Sequence, residues 1–484
     1  MKKWMRLDVI QYLCVTFGVM FCYLTGRILK LDHNPSLIQL EMMILLFVTG
    51  LFLLKKRKDG RLQEETLWNI MILMGFLMRI GYMLYTGCTV RRHDLWELDK
   101  NSGGHAAYIL TLIEEGHLPS SNQLQFYQQP LFYVLGAAVS GCINGILGCR
   151  ESYYLVDAAK TVSCAASCIT LLLGKKILTI SGVKGKEGRI PLLLFAFLPV
   201  FYLTGGRVNP DALAGMFMTA AFFYTIRWYH ETNWKNTCIL AVLFGCAMMT
   251  KISCGVIALF TAFLFLLKLV QEIKAHRGTS LMMKYIVFGG ISLPLGLWYS
   301  IRNYRLFGQS LSYVPRISTS SSLYTGSCSL VQRMIGIDVA NLFLSPYTNV
   351  YEDYNAPVYF LKSSLFGEFL YQIPGWIPVL LLLFAFSCSV ACLVAWIWQI
   401  RKNRNNQAGN WAAGISILYY ASILWFYFQY PFGCSMDFRY MIFLPIPLGV
   451  LLGKYVKDKN GIRQWVYLSV CGLSVCSCLM YCLV

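Results

Sequence analysis

The sequence predicts an all-α polytopic membrane protein, a bundle of about 13 transmembrane helices. Of its 484 residues, 57% are hydrophobic and only 13% are charged, whereas a soluble protein is about 25% charged. The mean hydropathy is +0.53. A bilayer span needs roughly 20 apolar residues, within a range of about 17–25. Such stretches recur along the whole chain, and short basic clusters separate them.

Thirteen apolar stretches approach or reach this length and are predicted to cross the membrane. They are 8–28, 37–54, 67–87, 153–174, 190–205, 212–229, 236–250, 253–270, 285–301, 375–399, 411–429, 439–453 and 464–483.

The positive-inside rule orients these spans. We place the N-terminus and the main basic clusters in the cytoplasm: KKRKDGR (55–61), KK…KGKEGR (175–189), KLVQEIKAHR…K (268–284), RKNR (401–404) and KYVKDKNGIR (454–463). The C-terminus then lies outside, in a multi-pass protein of the cell (plasma) membrane. Because this topology accounts for the net charge of +19, nucleic acid is not expected as a partner.

One further apolar stretch, 131–148, contains four glycines and an asparagine. The loop before it follows the third span and is outside, and the basic cluster 175–189 should be inside. Only an odd number of crossings can connect the two. Since 153–174 already crosses, we predict that 131–148 lies in the interface or re-enters.

The topology gives two large outer segments, 88–152 and 302–374. It also gives three sequence divisions: an N-terminal two-span extension (1–66), a main transmembrane domain (67–454) and a C-terminal span (455–484).

The polar residues at the ends of the spans share the predicted outer side. Ionisable residues in or beside a membrane are costly and are candidates for function. Five distant segments supply them: Asp94, Glu97 and Asp99; Arg207 and Asp211; Lys251; Arg302; Asp437 and Arg439. Structural alternatives stay open, since Asp211 could cap a helix, the cations could snorkel to the interface, and Asp94 could be a solvated loop acid.

This mixture of charges suggests transfer from a phosphate-linked donor. Cations at a membrane surface suit a lipid phosphate, and a nearby carboxylate suits a general base that activates a hydroxyl. The segment QFYQQPLFY (125–133) adds aromatic rings and amides that can stack on a sugar and hydrogen-bond to it.

The same residues lie in motifs that resemble the GT-C superfamily of membrane glycosyltransferases. The resemblance is to glycosyltransferase family 39, which includes dolichyl-phosphate-mannose–protein mannosyltransferases and aminoarabinose transferases. It covers roughly residues 67 to 454, through RHD (92–94), GGHAAYILTLIEEGHLP (103–119), QFYQQPLFY (125–133), GGRVNPDALA (205–214), MTKIS (249–253), SIRNYRLFG (300–308), FLKSSLFGEF (360–369) and SMDFRYM (435–441).

The resemblance implies a GT-C-like bundle with juxtamembrane helices in the first outer loop. It also implies an inverting transferase that uses a polyprenyl-phosphate sugar, with 67–454 as its catalytic domain. Asp94 would be the general base, and Asp211 would orient the acceptor or a metal. Lys251, Arg302, Arg207 and Arg439 would bind the donor phosphate. The substrate pocket would be formed by His93, Glu97, His105, Tyr108, Tyr127, Gln128, Asn209 and Asp437.

A divalent metal, Mg or Mn, would be held by Asp94 and Asp211 if it is used at all. The expected partners are a lipid-linked sugar donor, membrane lipids and an acceptor glycan, lipid or protein. Three departures from the family pattern leave metal use and donor identity open. Leu95 follows Asp94 where many members have a second acid, Gln129 replaces the first proline of a pair, and three spans precede the catalytic loop.

Two other functions remain compatible with the sequence. A transporter or flippase would place charges at mid-span, where Arg79 is the clearest candidate. A polysaccharide ligase or polymerase acting on lipid-linked glycans would need the same outer basic residues.

Overall fold

The computed structural model describes residues 2–31, 34–60, 63–274, 278–402, 405–458 and 460–483. Four basic residues that were used to orient the chain lie outside the described residues: Arg61, Arg277, Arg404 and Lys459.

The described residues form twenty α-helices and loops, with one isolated antiparallel bridge between Tyr324 and Phe432. The helices are α1 (Lys2–Ile28), α2 (Pro35–Lys58), α3 (Glu64–Tyr85), α4 (Gly104–Glu114), α5 (Leu131–Leu147), α6 (Ser152–Asp157), α7 (Lys160–Ile180), α8 (Gly185–Phe197), α9 (Pro199–Gly205), α10 (Asp211–His230), α11 (Trp234–Thr250), α12 (Val256–Lys274), α13 (Gly278–Phe307), α14 (Leu330–Met334), α15 (Val339–Leu344), α16 (Ala356–Phe366), α17 (Trp376–Lys402), α18 (Gln407–Gln429), α19 (Pro445–Asp458) and α20 (Asn460–Leu483).

The prediction of an all-α polytopic membrane protein is confirmed, and length and composition identify fewer candidate spans than the 13 that the sequence predicts. Within the described ranges, ten segments are long and apolar enough to cross a membrane, or eleven if one broken pair counts as a span. The three remaining predicted spans are helical. However, α10 is less apolar, α11 has only 17 residues, and the segment 439–453 falls in a pair of helical pieces bent by 59°. Hydropathy in a linear window cannot detect such a break.

The stretch 131–148 forms the 17-residue helix α5, which is shorter than the ten candidate spans. Its place in the interface, the sides of the two termini and the three sequence divisions stay predictions.

The helices divide between two compact units, and the first contains most of the predicted site. Unit 1 comprises Met1–Leu24, Cys88–Leu173 and Arg207–Arg316. Within it, α11 packs closely on α13 at two glycines. A Cβ on Gly245 would meet Leu295 at 2.5 Å, and a Cβ on Gly296 would meet Met248 at 2.8 Å. Small residues allow this close approach, which membrane helices use in place of hydrophobic driving force.

Unit 2 comprises Thr25–Gly87, Gly174–Gly206 and Ile317–Val484. In this unit α17 packs on α19 and α20, and α8 packs on α3 and α19. The loop before α17 also belongs to unit 2, and its helix α16 carries a buried cation. Lys362 is 1% exposed and contacts Asp353 at 3.2 Å.

Arg79 has a structural explanation inside unit 2. Pro199 begins α9 and has no N–H for the carbonyl of Phe195, which leaves α8 and α9 as a broken helix. The fully buried Arg79 donates to the carbonyl oxygens of Phe195 at 2.8 Å and Ala196 at 3.0 Å. The Ser477 hydroxyl donates to the next carbonyl, that of Phe197, at 2.6 Å. The mid-span arginine thus satisfies backbone groups freed by the helix break.

Candidate functional site

The loop that carries Asp94 has an unusual backbone. Asp94 is exposed, and its φ of 52° lies in the left-handed region, as do those of Arg91 (51°) and Trp96 (60°). This conformation costs an L-residue roughly 1–2 kcal/mol. It persists only where the surrounding structure holds it, and such strain is common at functional sites.

The first turn of α4 holds this loop through its free backbone amides. His105 N donates to the carbonyl oxygen of Asp94 at 2.9 Å, and Ala106 N donates to that of Leu95 at 3.3 Å. Helix amides at an N-terminus need such acceptors. Gly104, at φ 83°, allows the contact, because a Cβ there would lie 2.6 Å from the carbonyl oxygen of Leu95. Leu95 itself is 1% exposed and belongs to the apolar core.

His105 is fully buried and connects two predicted site segments. Its Nδ1 lies 2.7 Å from the hydroxyl of Tyr133, and its Nε2 lies 3.5 Å from Nδ2 of Asn209. The Tyr133 hydroxyl donates to Oε1 of Gln128 at 3.0 Å. The Asn209 side-chain oxygen accepts from the backbone N–H of Asp211 at 2.8 Å.

These bonds bear on the protonation of His105. Tyr133 uses its only proton toward Gln128, so its oxygen accepts from Nδ1–H of His105. The Asn209 oxygen is used by the Asp211 amide, so its NH₂ group faces Nε2 of His105. With these partners, a proton on Nδ1 would satisfy both ring nitrogens of His105. A chain of polar groups then runs from the Asp211 amide to Gln128.

Two stacked tyrosines form the centre of this network. The rings of Tyr108 and Tyr133 lie 3.9 Å apart at an interplanar angle of 7°. Burial raises the pKa of Tyr133 well above its usual value, and the negative charges of Asp94 and Asp211 act in the same direction. Burial likewise raises the pKa of Tyr108, while Arg302 acts against that shift. The charges of Asp94, Asp211 and Arg302 therefore act on the pKa values of this tyrosine pair.

Asp211 and Lys251 form an ion pair, and Asp211 is 3% exposed. Asp211 begins α10, where the helix dipole favours an anion. Lys251 follows the last residue of α11, and its side chain is 22% exposed. Gln129 holds the segment after this lysine, since its Oε1 accepts from Ile252 N at 3.1 Å and its Nε2 donates to Ser300 at 3.2 Å.

Arg302, near the end of α13, is half-buried. It donates to the carbonyl oxygen of Pro119 at 2.8 Å and lies over the ring of Tyr299 at 5.4 Å. The hydroxyl of Tyr299 accepts from Tyr108 at 2.8 Å and donates to the carbonyl oxygen of Phe126 at 2.7 Å. Arg302 is thereby connected to the tyrosine pair through Tyr299.

Asp437 and Arg439 belong to unit 2 and pair with each other, with Nε of Arg439 3.3 Å from Oδ2 of Asp437. In the same unit a carboxylate oxygen of Glu368 lies within 4.8 Å of one of Asp437. The Tyr359 hydroxyl donates to Glu368 at 2.6 Å. Burial, followed by the charges of Glu368 and Asp437, raises the pKa of Tyr359.

The predicted site residues divide between the two units. Within unit 1, the charges of Asp94, Asp211 and Arg302 act on the tyrosine pair, and Lys251 pairs with Asp211. His105, Asn209 and Gln128 belong to one polar network through Tyr133, whereas Tyr108 stacks on Tyr133 and donates to Tyr299. Tyr127 contributes a carbonyl oxygen that accepts from Asn303 at 3.4 Å. Arg207 is buried, His93 is half-buried and Glu97 is exposed.

Four residues were not among the predicted site residues although they contact them: Gln129, Tyr133 and Tyr299 in unit 1, and Glu368 beside Asp437 in unit 2. The first two were visible in the motif QFYQQPLFY, and Glu368 in FLKSSLFGEF. Tyr299 lies inside an apolar span, and nothing in the sequence distinguishes it from a packed aromatic residue.

The fit of a divalent metal to Asp94 and Asp211 is poor. Asp211 is engaged by the ammonium group of Lys251. In the described part of the chain, neither acid belongs to a group of three or more His, Cys, Asp or Glu side chains close enough to share one ion.

One stretch of the chain matches a known protein family. Residues 158–298 match the family model described as dolichyl-phosphate-mannose-protein mannosyltransferase. The matched range includes Arg207, Asp211 and Lys251 but neither Asp94 nor Arg302. The predicted resemblance to the GT-C superfamily is confirmed over this range.

Three crystal structures of the Archaeoglobus fulgidus oligosaccharyltransferase are similar to this chain. The complex with Zn and sulfate is 12% identical, with a TM-score of 0.45, and covers 86% of this chain and 53% of that chain. The form tethered to an acceptor peptide containing the NVT sequon is 11% identical, with a TM-score of 0.47, and the match covers 87% of this chain and 55% of that chain. The apo form is 10% identical, with a TM-score of 0.46, and the match covers 86% of this chain and 56% of that chain. The chain thus spans a little over half the length of these proteins. No curated protein matches the sequence.

Proposed function

We propose that this chain transfers a sugar from a polyprenyl-phosphate donor to an acceptor hydroxyl on the outer face of the membrane, with inversion at the anomeric carbon. The observation that carries the proposal is the family match over 158–298. That range contains the buried Asp211 and its ion-pair partner Lys251, whose side chain is partly exposed.

Asp94 is the general base of this proposal. The acceptor oxygen attacks the anomeric carbon, its proton passes to the Asp94 carboxylate, and the bond between that carbon and the phosphate oxygen breaks. The exposure of Asp94 in a strained loop supports the role, because the carboxylate must reach an incoming hydroxyl. The contact of α4 with the loop keeps the carboxylate in place.

The polyprenyl phosphate leaves with a developing negative charge. Lys251 and Arg302 stabilise that charge, with Arg207 as a further phosphate ligand. The partial exposure of the Lys251 side chain supports this role, because an incoming phosphate can reach it. Asp211 holds the lysine until the donor arrives and orients the acceptor.

The partners that follow are the lipid-linked donor, the surrounding membrane lipids, and a glycan, lipid or protein acceptor. Magnesium or manganese is a separate possibility, and no step above needs it. Addition of EDTA to the purified enzyme tests it directly: loss of transfer that added Mg or Mn restores would establish a metal requirement.

The test of the function is an assay of purified protein with a panel of polyprenyl-phosphate sugars. Asp94→Asn should lower the transfer rate at least about 10²-fold, because it removes the base while keeping the size of the side chain. Asp99→Asn is the matched control, since Asp99 is an exposed acid in the same loop. Equal rates for the two variants would exclude Asp94 as the base, and transfer of a preassembled chain would identify a ligase or polymerase.

A further inference from the structure

A second buried charge cluster lies in unit 1, away from the residues described above. Asp157, at the end of α6, is 2% exposed and receives three hydrogen bonds of 2.7 Å. The donors are the hydroxyl of Tyr23, the backbone N–H of Cys88 and the ammonium group of Lys160. Lys160 is 1% exposed.

The cluster brings two distant segments, and the neighbouring start of α7, to one carboxylate. Tyr23 belongs to the N-terminal helix α1, Lys160 begins α7, and Cys88 begins the loop that carries Asp94. A buried carboxylate is stable only when it is paired and hydrogen-bonded. The carboxylate of Asp157 therefore depends on its three donors. Each of these contacts also ties the segment that supplies the donor to Asp157.

The loop 88–103 is held at two points by these contacts. Its first residue is fixed by Asp157, and six residues later the first turn of α4 binds the carbonyl oxygen of Asp94. Between them lie the left-handed residues Arg91 and Asp94. A strained backbone relaxes when either end is released, so the anchor at Cys88 bears directly on the position of Asp94.

We propose that Asp157 is a positioning residue for Asp94 and that α1, through Tyr23, is part of the scaffold of the catalytic loop. This inference rests on the proposed function. The N-terminal helix then does more than insert the chain in the membrane. Its Tyr23 helps to hold Asp157, which accepts the hydrogen bond from the Cys88 amide.

Two double variants separate the anchor from the buried charge. Asp157→Asn with Lys160→Met keeps an oxygen that accepts from Cys88 N–H, whereas Asp157→Leu with Lys160→Met removes it. Neither leaves an unpaired buried charge. Tyr23→Phe, which removes one of the three donors, is the milder variant, and Tyr467→Phe on α20 is its control.

The first readout is reaction of the Cys88 thiol with a maleimide, followed by mass spectrometry of its peptide. In the native protein Cys88 is 4% exposed, and burial together with the charge of Asp157 raises its pKa, so labelling should be slow. We expect labelling at least about tenfold faster in the leucine variant and within about threefold of native in the asparagine variant. Tyr23→Phe should also label faster than Tyr467→Phe.

The second readout is steady-state transfer. A displaced Asp94 should lower kcat about 10–100-fold in the leucine variant, with the donor KM within about threefold of native. The asparagine variant should recover most of kcat. Equal labelling of the two double variants, or faster labelling with unchanged kcat, overturns the inference. If native protein transfers no sugar from any donor, the proposed function fails, while labelling still decides whether Asp157 anchors the loop.

Discussion

Gly104→Ala should displace the loop that carries Asp94. Gly104 has a φ of 83°, and a Cβ there would lie 2.5 Å from Cδ1 and 2.8 Å from Cβ of Trp96, and 2.6 Å from the carbonyl oxygen of Leu95. Two of these atoms are close to the backbone of the loop and cannot rotate away. The loop must therefore move away from α4, and it takes Asp94 with it.

A control separates this displacement from backbone strain. Gly116 has a φ of 70° and nothing within 4 Å of a Cβ. At either position the left-handed conformation costs an alanine roughly 1–2 kcal/mol of stability. At Gly104 the forced contacts add about 1–3 kcal/mol. We expect Gly104→Ala to lose stability through both the left-handed conformation and the forced contacts. Gly116→Ala should lose stability through the left-handed conformation alone.

The assay is transfer from the polyprenyl-phosphate donor, measured beside thermal unfolding in detergent. Displacement of a catalytic group by about 1 Å can cost about 10²-fold in rate. We therefore expect a 10–100-fold lower kcat for Gly104→Ala than for Gly116→Ala. If the two variants turn over within about twofold of each other, the contact of α4 with the loop does not position the base.

Three further predictions concern buried polar groups. Lys251→Met should destabilise the protein by about 3–5 kcal/mol, because it leaves Asp211 buried without its cation; adding Asp211→Asn should restore the unfolding temperature but not transfer. Above pH 10, stability should fall by up to about 1.4 kcal/mol per pH unit for each buried tyrosine, because Tyr108 and Tyr133 keep their protons when folded and lose them when unfolded; replacing both by Phe should flatten that fall in pH-dependent unfolding. Arg79→Lys should lower the unfolding temperature without changing the donor KM, since a lysine cannot reproduce the guanidinium fork; a selective rise in KM would contradict a structural role.

Much of the fold could be predicted because lipid imposes a simple requirement on sequence. A spanning helix must be apolar over its length, so most spans were visible in the linear chain. The helix broken before Pro445 and the short helix α11 were not separated from true spans. Linear hydropathy measures composition and does not measure direction or the break between helices.

The candidate site could be predicted in its charges but not in its connections. Asp211 and Lys251 were identified because ionisable groups are rare beside a membrane. Their direct pairing, across 40 positions of sequence, depends on how α10 and α11 pack. His105 was predicted to line a pocket, but it is fully buried and has both ring nitrogens engaged.

The sequence by itself determined that this chain is helical and has many segments apolar enough to cross the membrane, whereas the outer side of its charges and their fit to a phosphate-linked donor stay predictions. These properties follow from solvation, which acts on each segment separately. The tertiary structure alone decided that Tyr23, Cys88 and Lys160 meet at Asp157, and that Arg79 serves a helix break. The contacts of Tyr23 and Arg79 join residues more than a hundred positions apart, and the contact of Cys88 spans 69 positions. Contacts at such separations leave no local pattern in the chain.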